Sequence, residues 1–354
     1  MIVPKPSVRD LHRSATPDGS RESFLRLDRN ELVPEWSQTV FQDIVAQLTP
    51  ASFSAYPAVR PLYEQLASHL GVSPAQLLLG AGSDWLIRAC FDTFCQPGDR
   101  VALVVPTYGM YEVYARLSGA IIDAVPHGPD FAFPVEAVLE AVRSGPSILG
   151  LASPNGVLGS VISTPDLRAV LAAARERDTL VVLDEAYLEY AQDRSLPMVA
   201  EFDNLVLVRT FSKAGGLAGL RVGYALAQPQ LLGWIARVRP NVEINQVAVV
   251  ACGYLLSHPE VVRQHVADSL AGKRLLAQRL GEHAMTVFPG AANFVQVKLG
   301  ERRVAILDAF ARKSVLVKDQ AGDPMLDEWT RITIGPPREM AVVADIVDRV
   351  LGHG

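Results

Sequence analysis

The stretch Leu205–Tyr224, LVLVRTFSKAGGLAGLRVGY, holds the side chains best suited to chemistry. Its opening apolar run, Leu205 to Val208, reads as a buried strand. Thr210, Phe211, Ser212 and Lys213 end that run, then come Gly215, Gly216 and Gly219, and then Arg221 and a second short apolar run. A lysine at the end of a buried strand can form a Schiff base with an aldehyde cofactor. Hydroxyls before it and an arginine after it, from Thr210, Ser212 and Arg221, can hold that cofactor's phosphate. The glycines let the backbone turn sharply and approach closely. Taken alone, Lys213 also reads as an ordinary loop lysine, because such triplets are common.

Four further stretches carry candidate residues. Leu77 to Phe94 reads as a strand, a glycine turn and a helix, with Gly80, Gly82 and Ser83 placing N–H groups at the helix N-terminus. Such a terminus suits an anion, although Asp84 could instead cap the helix. The apolar run Arg100–Val105 is followed by Pro106, Thr107 and Tyr108, at the strand end where open α/β sheets bind ligands. Tyr108 could stack on a flat ring there or simply fill the core. Thr179 to Tyr190 contains a buried strand that delivers Asp184, otherwise a helix cap. Arg331 opens RITIG, and arginine is the preferred residue for forked binding of a carboxylate. Its plainer reading is an exposed strand arginine.

Positioning these residues takes alternating strands and helices. Helices are expected over Ser37–Leu48, after Tyr56-Pro57 with Leu62, Leu66 and Leu70 on one face, from Thr164-Pro165-Asp166 to about Arg177, and from an Asn245 cap to Ser257. A long helix follows from Pro259 to about Gly281, then strands in AANFVQVKL, VLVKDQ and RITIG and a closing helix near Glu339–Leu351. Strands alternating with helices over short loops argue for a doubly wound sheet. Residues 1–35 show no period and read as an arm.

The 354 residues suggest about two domains, and nearly half are hydrophobic, enough for a sizeable core. A net charge of −5 without a basic block argues against nucleic acid or an anionic membrane. Cys90, Cys95 and Cys252 are too few and scattered for a disulfide framework or a zinc site, and reduced thiols in a cytoplasmic enzyme are the simpler reading. The start MIVPKPSVRD lacks a signal-peptide core, and no metal-ligand spacing is present among the seven histidines.

The string RTFSKAGGLAGLRVGY closely resembles the cofactor-lysine segment of pyridoxal-phosphate aminotransferases of fold type I, above all the histidinol-phosphate aminotransferase family. The resemblance covers essentially residues 25 to 350, with its motifs in order: Tyr56-Pro57, Gly82-Ser83-Asp84, Tyr108, Ser153-Pro154-Asn155, Asp184-x-x-Tyr187, Ser212-Lys213, Arg221 and Arg331. It implies an α/β fold with a mostly parallel, doubly wound sheet in a large domain and a smaller α+β domain. The corresponding boundaries are an arm over 1–36 that packs with the small domain, a cofactor-binding domain over 37–257 and a small domain over 258–354. It implies pyridoxal 5′-phosphate on Lys213, its ring stacked by Tyr108 and its nitrogen kept protonated by Asp184. Asn155 and Tyr187 would reach the phenolic oxygen, and Arg331 would clamp a substrate carboxylate near Asn30. Amino acid and 2-oxo acid substrates follow, glutamate and 2-oxoglutarate by default. So does a cytoplasmic homodimer in which Tyr56 reaches the neighbouring subunit's cofactor phosphate.

Departures from the pattern bear on the substrate. Trp85 replaces a glutamate, and Gly156, Val157 and Leu158 alter the loop after Asn155. No tyrosine follows Asn30-Glu31, where the family contacts a substrate phosphate, and Lys318 stands in place of a phosphate-gripping arginine. An altered substrate is therefore expected, with Lys318 reading its side chain. A decarboxylase of the threonine-phosphate type and a non-catalytic cofactor-binding relic are the alternatives.

Overall fold

The computed structural model describes residues 2–9, 11, 20–191 and 195–352. Residues 1, 10 and 12–19 of the expected arm, and the final two residues of the expected small domain, lie outside them. In chain order the strands are β1 (Leu25–Leu27), β2 (Leu77–Gly80), β3 (Arg100–Val105), β4 (Ile121–Pro126), β5 (Ile148–Ala152) and β6 (Leu180–Asp184). The others are β7 (Leu205–Thr210), β8 (Gly223–Leu226), β9 (Thr286–Phe288), β10 (Phe294–Lys298), β11 (Val315–Asp319) and β12 (Trp329–Thr333). They form two sheets.

The larger sheet has the order β2-β8-β7-β6-β5-β3-β4. The pairings from β4 through β7 are parallel, and β8 runs antiparallel between β7 and β2. Its central strands are apolar on both faces because helices cover both. Val181, Leu183, Leu205 and Leu207 point to one core, while Leu180, Val182, Val206 and Val208 point to the other. The parallel strands therefore share one C-terminal edge, and β3, β5, β6 and β7 all deliver their following residues there.

The smaller sheet has the order β1-β11-β12-β10-β9. The helices Pro259–Glu282 and Pro337–Leu351 cover it, burying Leu276, Leu280, Met340, Val343 and Val347. The N-terminal segment is more than an arm: β1 pairs in parallel with β11, Leu25 opposite Val315, and Leu27 is fully buried. A three-residue strand has no readable period, and its partner lies nearly the whole chain away, so only tertiary pairing makes it a strand. The edge strand β4 was equally hidden, since most of its residues are not buried.

Helix ends follow local chemistry. Ser37 caps Gln38–Val45, accepting from the Val40 N–H, and Asn245 caps Gln246–Ser257, accepting from the Ala248 N–H. For Thr164–Arg175 the cap is Ser163, one residue before the expected threonine, with Pro165 in the first turn where its missing N–H costs nothing. Among the described residues no helix is long and apolar enough to cross a membrane.

Candidate active site

A cavity of about 750 Å³ lies between the C-terminal edge of the large sheet and the β11–β12 side of the small one. Lys213, Asp184, Tyr187, Thr210, Ser212, Arg221, Ser83, Asp84, Tyr108, Asn30, Lys318 and Arg331 all line it. Residues from seven separate stretches thus converge on one cavity.

The floor belongs to the large sheet. Lys213 follows β7, its Nζ donating to the Arg29 carbonyl at 3.2 Å and lying 5.4 Å from the centre of the Tyr187 ring. Asp184 ends β6, is buried, and accepts from the Ala186 N–H at 3.0 Å. Burial pushes its carboxyl up to about 6, opposed by that N–H and by the Lys213 charge. A carboxylate so placed gains most by meeting a buried cationic N–H.

Beside these lies an anion cradle. The helix Gly82–Phe94 begins without a side-chain cap, leaving its first-turn N–H groups to other partners. Gly82 has φ +82°, and a Cβ on it would fall 2.7 Å from an Arg221 guanidinium nitrogen, so glycine permits the arginine to lie against the helix start. Among the described residues the buried Ser212 Oγ has no hydrogen-bond partner, and neither does Thr107 Oγ1 at the cavity wall. Thr210 is already committed, donating to the Val222 carbonyl at 3.2 Å and accepting from the Ser212 N–H at 3.1 Å. The unpartnered Ser212 hydroxyl, an arginine and a helix N-terminus form a donor set that fits a phosphate.

Asp84 does not cap its helix. It accepts from the Tyr114 hydroxyl at 2.8 Å and the Tyr108 hydroxyl at 3.1 Å. Burial first, and Asp84 second, hold both tyrosines above the usual phenol range. Tyr108 is thereby fixed at the cavity edge, partly exposed. Trp85 turns away from the cavity and packs against Gly80 and the core under the sheet, so the departure there leaves the cavity lining unaltered.

The opposite wall comes from the small sheet and the N-terminal segment. Arg331 on β12 donates from Nη1 to the Gly156 carbonyl at 3.0 Å and from Nη2 to the Asp28 carbonyl at 3.1 Å, while its Nε has no partner. No carboxylate pairs with it among the described residues, and burial lowers its pKa below the usual arginine value. Lys318 lies directly opposite it in the β11–β12 register. Asn30 is buried with φ +55° and donates from Nδ2 to the Tyr187 hydroxyl at 2.9 Å. It therefore orients Tyr187 as well as facing the cavity.

Two expected residues stand elsewhere. Asn155 is fully buried: its Nδ2 donates to the Pro106 carbonyl at 3.0 Å, and its Oδ1 accepts from the N–H groups of Val157 and Leu158 at 2.8 and 2.9 Å. Its Oδ1 and one Nδ2 hydrogen shape the Gly156–Gly159 loop, which brings Gly156 and Val157 to the cavity. Tyr56 lies away from the cavity and is 89% exposed. The sequence reading missed Tyr114 and Gln296 as contributors, and Thr107 lies at the strand end where it was expected. Gln296 had a signal, a lone polar residue inside the apolar run FVQVK, and its Nε2 donates to the Val157 carbonyl at 2.7 Å.

Sheet order, strand-end lysine and phosphate-type cradle together define an α/β enzyme of the pyridoxal-phosphate fold type I. The aminotransferase class I and II profile matches residues 23–347, and the chain belongs to that family. It is 36% identical over 349 residues to histidinol-phosphate aminotransferase 1 of Burkholderia lata, covering 96% of this chain and 97% of the relative. The crystal structure of histidinol-phosphate aminotransferase from Sinorhizobium meliloti in complex with pyridoxal-5′-phosphate superposes with a TM-score of 0.86 at 26% identity, covering 98% of this chain and 96% of that one. L-threonine-O-3-phosphate decarboxylase from Porphyromonas gingivalis shares the fold, with a TM-score of 0.76 at 20% identity over 92% of this chain and 99% of that one. The protein is thus a pyridoxal-phosphate-dependent transaminase, acting on amino acid and keto acid substrates.

Proposed function

We propose that this aminotransferase takes an amino donor whose side chain differs from that of histidinol phosphate, with glutamate and 2-oxoglutarate as the default exchange pair. One observation carries the reading. Arg331 and Lys318 face each other across β11 and β12 on the cavity wall, and no carboxylate pairs with either among the described residues. Arg331 can grip the donor's α-carboxylate through its fork. Lys318 is then left for an anionic or polar group on the side chain, as a point charge without a fork.

Lys213 would carry the cofactor, with Ser212, Arg221, Gly82 and Ser83 around its phosphate, Thr210 positioning Ser212 by accepting from its N–H, and Tyr108 against its ring. When bound, pyridoxal phosphate supplies a ring that takes up the electron pair released at the donor's Cα. Asp184 holds a proton at the ring nitrogen, and its burial makes that contact strong. Lys213 Nζ, released when the donor's amine takes its place on the cofactor, would take the proton from Cα. Arg331 fixes the carboxylate so that the Cα–H bond, rather than the bond to the carboxylate, faces the lysine. Tyr187, held by Asn30, donates toward the phenolic oxygen, while Asn155 sets the loop beneath it.

Tyr56 supports a homodimer with shared sites: it is exposed, as are Phe41 and Phe53 in the same stretch, and a second copy would cover them. Cytoplasmic placement and the division into residues 1–36, 37–257 and 258–354 belong to the same proposal.

Steady-state kinetics with histidinol phosphate and a panel of amino acids, following the cofactor spectrum, test the reading. Conversion to pyridoxamine phosphate by another donor is the expected result. Efficient turnover of histidinol phosphate well above every other donor would overturn the altered substrate, and release of carbon dioxide would overturn transamination.

A further inference from the structure

The helix Pro259–Glu282 carries a buried ammonium that the chemistry above does not use. Lys273 Nζ donates to the carbonyls of Pro289 at 2.8 Å, Gly290 at 3.1 Å and Ala292. All three donors of the ammonium meet neutral carbonyls, and no carboxylate pairs with it among the described residues. Burial pushes its pKa down to about 8. Covering a bare charge in this way is costly unless its hydrogen bonds are complete, so the tight turn between β9 and β10 is shaped around it.

That turn touches one thing of consequence. Ala291 N–H donates to the Gly159 carbonyl at 2.7 Å. A Cβ on Gly159 would fall 2.9 Å from the Gly290 Cα, so the two backbones meet with no side chain between them. Gly159 closes the loop begun by Asn155, donating to its carbonyl at 2.8 Å. Inside that loop the Gly156 carbonyl receives Arg331 and the Val157 carbonyl receives Gln296. Three carbonyls of a large-sheet loop are thus held from the small-sheet side, and one of them aims Arg331.

We infer that Lys273 is a positioning residue for the Arg331 carboxylate grip, acting through the Pro289–Ala292 turn and the Asn155–Gly159 loop. It touches neither substrate nor cofactor. Its loss frees the turn, loosens the loop at Gly159 and lets the Gly156 carbonyl drift from the guanidinium. The inference rests on the proposed role of Arg331, and its test has one arm that does not.

The first arm is amide hydrogen exchange on cofactor-loaded Lys273→Met, which keeps length and apolar bulk but removes the charge and the donors. Exchange should quicken about tenfold or more both at 288–293 and at 157–159, with strand β6 unchanged. Quickening confined to 288–293 would show a purely local structural role and overturn the inference. The second arm uses L-glutamate as donor. KM should rise about tenfold with kcat within about twofold, and the same substitution in an Arg331→Lys background should cost under about threefold, because both act on one grip. Full additivity would overturn the inference. No turnover of glutamate by the unaltered protein would instead count against the proposed donor, and the exchange arm would still decide. If Lys273→Met does not fold, Lys273→Gln keeps two N–H donors without charge and should give the same pattern at smaller size. Unchanged exchange at 157–159 in that variant would equally contradict the coupling.

Discussion

On the large-sheet side of the cavity several polar groups lack partners among the described residues. Ser212 Oγ and Thr107 Oγ1 have none, Asp184 is buried with its pKa raised, and Arg221 makes one long bond, 3.4 Å to the Ala218 carbonyl. On the small-sheet side more of the bonds are already made, although Arg331 Nε has no partner among the described residues. Arg331, Asn30 and Gln296 are each tied to backbone carbonyls of the loop at 156–157, and Asn30 also holds Tyr187. One side is built to complete itself with a cofactor. The other is aimed in advance, so that its remaining charge goes to the substrate at little reorganisation cost. Changes on the first side should therefore strike cofactor retention and rate, and changes on the second should strike donor affinity and choice.

The largest effect is expected from Asp184→Asn. It keeps the shape but removes the charge proposed to hold the ring nitrogen's proton, so kcat should fall by about 10²–10³, as when a strong electrostatic stabiliser is lost. Near-normal kcat would mean that another group holds that nitrogen. The same variant tests the electrostatics without the cofactor. Because burial raises this carboxyl to about 6, the folded state keeps its proton to higher pH than the unfolded chain. Its stabilising contribution is present below the unfolded value and lost as pH rises through about 6, with a ceiling of about 3 kcal/mol. Melting of the cofactor-free protein should thus fall relative to Asp184→Asn between pH 5 and 7.5, by about 2–5 °C. A constant difference across that range would contradict the burial argument.

Next comes Arg331→Lys, which keeps the charge and loses the fork. It should lower kcat/KM for amino acid donors by about 10–100-fold, mostly through KM, while the cofactor stays bound. Loss of cofactor instead would break the division between the two sides. Lys318→Met should be smaller and selective: about tenfold for donors with an anionic side chain and little for alanine, measured as the ratio of kcat/KM values. Tyr56→Phe should be smallest, a few-fold weaker cofactor retention in dialysis, without change in donor preference. A monomer by light scattering with full activity would contradict the shared site.

The same contrast explains what could be read from the chain. The cofactor side is local: a buried run, a special residue at its end and a glycine turn fall within twenty residues of one another, as in Leu205–Tyr224 and Leu77–Phe94. Strand-end position and helix-start chemistry follow from that spacing alone. The substrate side is not local. Asn30 meets Tyr187 and Thr333, and Arg331 meets the Asp28 and Gly156 carbonyls, across 157 to 303 residues. No periodicity encodes such pairs, so Arg331 could be nominated but its carbonyl partners could not. Asn155 shows the limit within a motif. The sequence puts it beside the site, but the actual bonds of its amide, to Pro106, Val157 and Leu158, are backbone contacts that no pattern displays.

The account stands on Lys213 as the point of cofactor attachment. Borohydride reduction of the purified, cofactor-loaded protein, followed by proteolysis and peptide mapping, reads that attachment directly. A single reduced pyridoxyl label is expected on the peptide carrying Thr210–Gly216, at Lys213, and none in Lys213→Ala protein of unchanged fold. A label on Lys318, Lys273 or any other lysine, or no stable label on a protein that turns over amino acids, would contradict it.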